Sequence, residues 1–136
     1  MKLFWNSMKE PIRSEEILYR AVKPKPVFWK EGGRVTSALF KDSKGVSVDR
    51  DGGRSTEEVI SNFITKMGEE NVVATAFLSA QECFDIDAVV LPKPIDGNEY
   101  HAEIHHSETQ IELTKKQAKA LADCCKLVFV KESSSV

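Results

Sequence analysis

Asp96-Gly97-Asn98-Glu99-Tyr100-His101-Ala102-Glu103-Ile104-His105-His106 is the stretch whose reading decides the fold. Asp-Gly-Asn is a turn signal, and beyond it polar residues at 101, 103 and 105 alternate with apolar ones at 102 and 104, the period of a strand with one buried face. The strand pattern before the turn, residues 87–91, is stopped by Pro92 and Pro94. Together they predict an antiparallel hairpin of 88–91 with 100–106.

Outward from the hairpin, two segments change period from two to about 3.6. Residues 56–67 place Val59, Ile60, Phe63, Ile64 and Met67 on one stripe, with Ser55 and Glu58 as a capping box and Gly68 as the stop. Thr114 caps a second helix running to about Cys125, with Ala118, Leu121, Ala122 and Cys125 turned inward. Ser79 and Glu82 repeat the capping box ahead of a short helix at 80–84.

Strand patterns fall at 17–22, 35–40, 46–48, 72–77 and 127–130, with glycine-rich turns at 31–34, 42–45 and 49–53 between them. Lys23-Pro24-Lys25-Pro26 ends the first strand in an extended exit. These elements predict a single α+β domain: a mixed or mainly antiparallel sheet of five or six strands, with two principal helices on one face. Residues 14–130 form that domain. Residues 1–13 are an apolar arm that packs on the body or on a partner, and 131–136 are a polar, flexible tail.

At 136 residues, with 29% charged and 41% hydrophobic side chains, the composition is that of one globular domain. A net charge of -2 supplies no global positive field to hold nucleic acid. No apolar run reaches the roughly 18–20 residues that span a bilayer. The opening Met1-Lys2-Leu3-Phe4-Trp5-Asn6 lacks the apolar middle region of a secretory signal. Cys83 and the adjacent pair Cys124-Cys125 read as reduced thiols, and the two features together predict a cytoplasmic protein.

All three histidines lie in the hairpin strand. Alternation sets His101, Glu103 and His105 on one face, a spacing that permits a divalent metal. It equally permits acid–base work, in which Glu103 fixes a histidine tautomer, or simply a polar outer face above Ala102 and Ile104. A second constellation is Gly52-Gly53-Arg54-Ser55, where glycine amides, an arginine and a helix start can hold the phosphate of a cofactor. Glu57 and Glu58 crowd that helix end and favour the plainer reading of a glycine turn. The motifs of P-loops, zinc fingers, dinucleotide-binding folds and nucleophile elbows are missing from the chain.

Leu18-Tyr19-Arg20, Thr36-Ser37-Ala38-Leu39-Phe40 with Ser47-Val48-Asp49, and His101-Ala102-Glu103-Ile104 together resemble a group of small uncharacterised bacterial proteins, over roughly residues 17–130. That resemblance implies a bacterial cytoplasmic protein and no particular activity. The order Arg20, Ser37, Glu103 is also similar to ADP-ribosyltransferases of the Arg-Ser-Glu type. That second resemblance implies that Arg20 on the first strand holds the NAD pyrophosphate, Ser37 on the second supports the nicotinamide ribose, and Glu103 stabilises an oxocarbenium-like transition state, with His101 beside it. In such enzymes the position two before the glutamate is a Glu or Gln; here it is His101.

Three readings of function follow. The foremost is a non-catalytic interaction or accessory module acting with a protein partner. The others are an NAD or other nucleotide enzyme built on Arg20, Ser37, His101 and Glu103, and a metal protein built on His101, Glu103 and His105.

Overall fold

A computed structural model of the chain describes residues 8–130. Strands β1 (Ile17–Val22), β4 (Val46–Arg50), β5 (Ala74–Ser79), β6 (Val89–Pro92), β7 (His101–His105) and β8 (Lys126–Phe129) form one antiparallel sheet in the order β6-β7-β4-β1-β5-β8. A separate ribbon pairs β2 (Trp29–Lys30) with β3 (Arg34–Val35). The helices are α1 (Thr56–Met67), α2 (Ala80–Phe84) and α3 (Lys115–Cys124). The α+β class and the antiparallel sheet are as the sequence predicts. The hairpin is real, with Val89 opposite His105 and Leu91 opposite Glu103.

The two long helices do not share a face. Strand alternation sends Leu18, Val48, Ala76 and Ile104 into a large core with Leu121 and Ala122 of α3. The neighbouring residues Tyr19 and Phe77 point the other way and pack on Val59 and Phe63 of α1. The helical stripes show that each helix buries one side. Which side of the sheet each one takes depends on chain connections, and periodicity does not encode that.

The predicted second strand over 35–40 is also corrected. Only Arg34–Val35 pairs, and Ser37–Phe40 is a 3-10 turn started by Thr36, whose Oγ1 accepts the Ala38 N–H at 3.3 Å. Leu39 and Phe40 are both fully buried in the large core, a pair of consecutive inward residues that a strand does not permit. The three capping boxes, at Ser55, Ser79 and Thr114, each close in both directions.

Of the N-terminal arm, Met8 is buried, and Arg50 donates through Nη1 to the carbonyls of Met8 and Glu10, which fixes the described part of the arm to the body. Residues 1–7 and the predicted tail at 131–136 lie outside the described residues. Among the described residues no helix is long and apolar enough to cross a membrane.

Candidate functional site

A trough runs along the face of the sheet that α1 covers. Its floor is laid by the outward residues of the central strands: Tyr19 on β1, Ser47 and Asp49 on β4, and His101 directly opposite Asp49 on β7. One wall is the last turn of α1, where Phe63, Lys66 and Met67 look over the sheet. The trough has two basins, of about 380 and about 650 Å³, which meet at Asp49, Lys66 and Asn98.

The smaller basin is basic. Arg20, Lys23, Lys25 and Lys66, with His101, face only the carboxylates of Asp42 and Asp49. Asp49 is buried and already engaged: it accepts the Asn98 amide N–H at 2.8 Å and lies 3.7 Å from Arg54 Nη2. The Pro-flanked lysines owe their place to the chain's turn after Val22, held by Trp29 Nε1 donating to the Lys23 carbonyl at 3.0 Å.

Arg20 has a structural task as well. The β1–β4 ladder pairs only Leu18 with Arg50 and Tyr19 with Asp49, and where the strands part the guanidinium bridges the gap. Its Nε donates to the Leu39 carbonyl at 2.8 Å and Nη1 to that of Ser47 at 2.7 Å. Burial lowers the pKa of this group from its ordinary value, against the opposing pull of Asp42. Among the described residues Nη2 has no hydrogen-bond acceptor, and Arg20 lines the basin.

The larger basin is of mixed character. Asp96, Glu99, Asn62 and Thr65 bring acceptors and amide or hydroxyl groups, and the Arg54 guanidinium lies 3.6 Å above the Tyr100 ring. Burial, followed by the charge of Glu99, raises the pKa of the Tyr100 hydroxyl, and Arg54 acts against both.

The residues singled out from sequence separate into two groups. Arg20 and His101 reach the trough. His101 Nδ1 donates to the Lys93 carbonyl at 2.9 Å, a bond that orients the ring. Ser37 lies in the 3-10 turn, not on a strand, and lines neither basin. Glu103 lines neither basin, and its Oε1 is 2.9 Å from Nε2 of the buried His105.

The metal set is not assembled either. Although His101, Glu103 and His105 share a face, no three His, Cys, Asp or Glu side chains among the described residues are gathered to hold an ion. Two-residue spacing on a pleated strand aligns side chains, but each ring here is turned to a nearer partner.

Gly52-Gly53-Arg54-Ser55 is a structural corner, not a phosphate cradle. Ser55 Oγ accepts the Glu58 N–H, Glu58 Oε1 accepts the Ser55 N–H, and the helix start is thereby filled from within the chain. The Arg54 donors go to the Asp51 carbonyl, to Asn62 Oδ1 and to the Arg50 carbonyl. Gly52, at φ +57°, leaves room for the Tyr100 ring.

Lys23, Lys25, Lys66 and the Asp49–Asn98 junction were not legible as a site. A proline-punctuated lysine pair looks like a strand stop, and Lys66 looks like an ordinary outward helix residue. The one usable signal was the concentration of charge between Arg20 and Lys25. No family model matches the chain, and no curated protein or solved structure matches it.

Proposed function

We propose that the protein is a non-catalytic interaction module of the bacterial cytoplasm that takes an anionic group of its ligand or partner in the basic basin beneath α1. The observation that carries this reading is the convergence of Arg20, Lys23, Lys25 and Lys66 on one open concavity in a chain whose net charge is -2. A local excess of cations at a concave site concentrates anions there by focusing the field, whatever the sign of the whole molecule. The described cysteines are all free, in keeping with a reducing compartment.

The non-catalytic part rests on how the reactive groups are used. Glu103 is engaged with His105, and His101 is oriented by a backbone carbonyl, with no carboxylate among the described residues hydrogen-bonded to its ring. The Arg-Ser-Glu transferase reading keeps Arg20 at the trough but has Ser37 and Glu103 outside it. It therefore ranks below the binding module.

An NMR titration with inorganic pyrophosphate tests the proposal. Amide shifts are expected at Tyr19, Lys66 and His101, and a Lys23→Glu/Lys66→Glu double variant loses them while keeping its thermal midpoint. Shifts that avoid the trough, or that survive charge reversal, would refute the site. Turnover of NAD that depends on Glu103 would refute the non-catalytic reading.

A further inference from the structure

The two basins differ in chemistry, and the difference defines the ligand. The basic basin offers cations with few competing carboxylates, as a phosphate requires. Beyond Lys66 and Asn98 the lining changes: Asp96 and Glu99 present carboxylate acceptors, Asn62 and Thr65 present amide and hydroxyl groups, Tyr100 presents an aromatic ring, and Arg54, the other cation of this basin, already donates to Asp51, Asn62 and Arg50. A phosphate would be repelled by Asp96 and Glu99. Hydroxyl groups are suited to them, because an ionised carboxylate is an acceptor only and a sugar hydroxyl donates to it.

We propose that the ligand is a phosphorylated sugar unit, either free or as part of a nucleotide, with its phosphate in the basin of Arg20, Lys25 and Lys66 and its hydroxyls in the basin of Asp96. This rests on the anion-binding reading above and adds the class of compound. Lys66 stands where the basins meet and lines both, so it is placed to hold the bridging phosphate oxygen. The combined space is ample: ligand pockets commonly run from about 300 to 1,000 Å³. A base, when present, has the aromatic ring of Tyr100 in the same basin.

Isothermal titration of the full chain with inorganic phosphate, ribose 5-phosphate, adenosine 5′-monophosphate and adenosine tests this. Ribose 5-phosphate is expected to bind at least about tenfold tighter than inorganic phosphate, and adenosine at least about tenfold weaker than its monophosphate. Further gain from the monophosphate over ribose 5-phosphate marks a nucleotide; none marks a sugar phosphate. Lys66→Ala should weaken every phosphate-bearing compound. Asp96→Ala, on an exposed turn, should remove the advantage of ribose 5-phosphate over inorganic phosphate.

Equal affinity for phosphate and ribose 5-phosphate would overturn the sugar-phosphate ligand and leave the anion site standing. Adenosine binding as tightly as its monophosphate would likewise overturn it. Binding of none of the four, together with a silent pyrophosphate titration, would overturn both.

Discussion

Arg50 holds Glu16 across 34 positions of chain through two parallel hydrogen bonds, Nε to Oε1 at 2.7 Å and Nη2 to Oε2 at 2.8 Å. Both side chains are buried, and the remaining nitrogen of Arg50 takes the carbonyls of Met8 and Glu10. One guanidinium thus joins β4, the entry to β1 and the described part of the N-terminal arm. A buried pair of this kind is weak evidence of net stabilisation, but removing one member strands the other.

Glu16→Gln is therefore expected to destabilise the fold by on the order of 3 kcal/mol at pH 7. Burial alone would raise the carboxyl pKa, but the hydrogen bonds and charges from Arg50 and Arg13 outweigh it and hold the folded value below the ordinary 4.5. A folded pKa below the unfolded one gives stability that is fully present above pH 4.5 and lost as pH falls through the folded value. Urea unfolding of wild type and variant between pH 7 and pH 2 should converge in the acid range. A gap that stays constant with pH would show that the pair's charge is not what matters.

Gly52 and Gly53 make a matched control for the corner before α1. Both have positive φ, +57° and +80°, and an added methyl costs about 1 kcal/mol at either for that reason. At Gly53 the added carbon meets nothing, whereas at Gly52 it enters the edge of the Tyr100 ring. Gly52→Ala should thus lose about 2 kcal/mol more than Gly53→Ala and disturb the Arg54–Tyr100 stack. Equal unfolding midpoints for the two variants would mean that Tyr100 moves aside freely.

The thiols should be slow to react. Cys124 lies near the surface, yet partial burial and the neighbouring Glu82 push its pKa up to about 11, and burial sends Cys83 up to about 12. At pH 8 the thiolate fraction of Cys124 is then on the order of 0.1%, and the thiolate is the reacting form. Mass-spectrometric alkylation of the folded protein is expected to rise about tenfold per pH unit up to pH 10. Rapid labelling of Cys124 at pH 7 would contradict it.

The period and caps of α1 and α3, and the alternation of β7, are local properties, and they were readable residue by residue. Ser37–Phe40 was misread because Val35 and Phe40 carry strand propensity, while the Thr36 cap and the burial of both Leu39 and Phe40 depend on the core they meet. The site was less legible still. Lys23 and Lys66 come together only once α1 is laid across β1, and the Glu16–Arg50 fork leaves no trace in local sequence. His101, Glu103 and His105 were rightly placed on one face. Their partners at Lys93 and within the strand decided what each ring does.

Glu103 separates a structural from a catalytic role. Glu103→Ala leaves Nε2 of the buried His105 without its partner and should cost about 1–2 kcal/mol. Because Glu103 lines neither basin, pyrophosphate affinity is expected to stay within about twofold of wild type. A variant of normal stability that no longer binds would reverse this assignment.

Thr75 is an opportunity for stabilisation. It is fully buried on β5, between Ala21 of β1 and Val128 of β8 in register, and among the described residues its Oγ1 has no hydrogen-bond partner. A buried hydroxyl without a partner carries a desolvation cost and returns nothing, and valine has the same branched shape with a methyl in its place. Thr75→Val is expected to stabilise the protein by about 1 kcal/mol, a rise of roughly 3–5 °C in the thermal midpoint for a domain of this size. Valine is also at least as well suited to a central strand as threonine. Thr75→Ser, which keeps the hydroxyl and removes a buried methyl, should be destabilised by about 1 kcal/mol. If calorimetry instead found Thr75→Val less stable than wild type, the hydroxyl would have to be satisfied by a buried water bridging the strands.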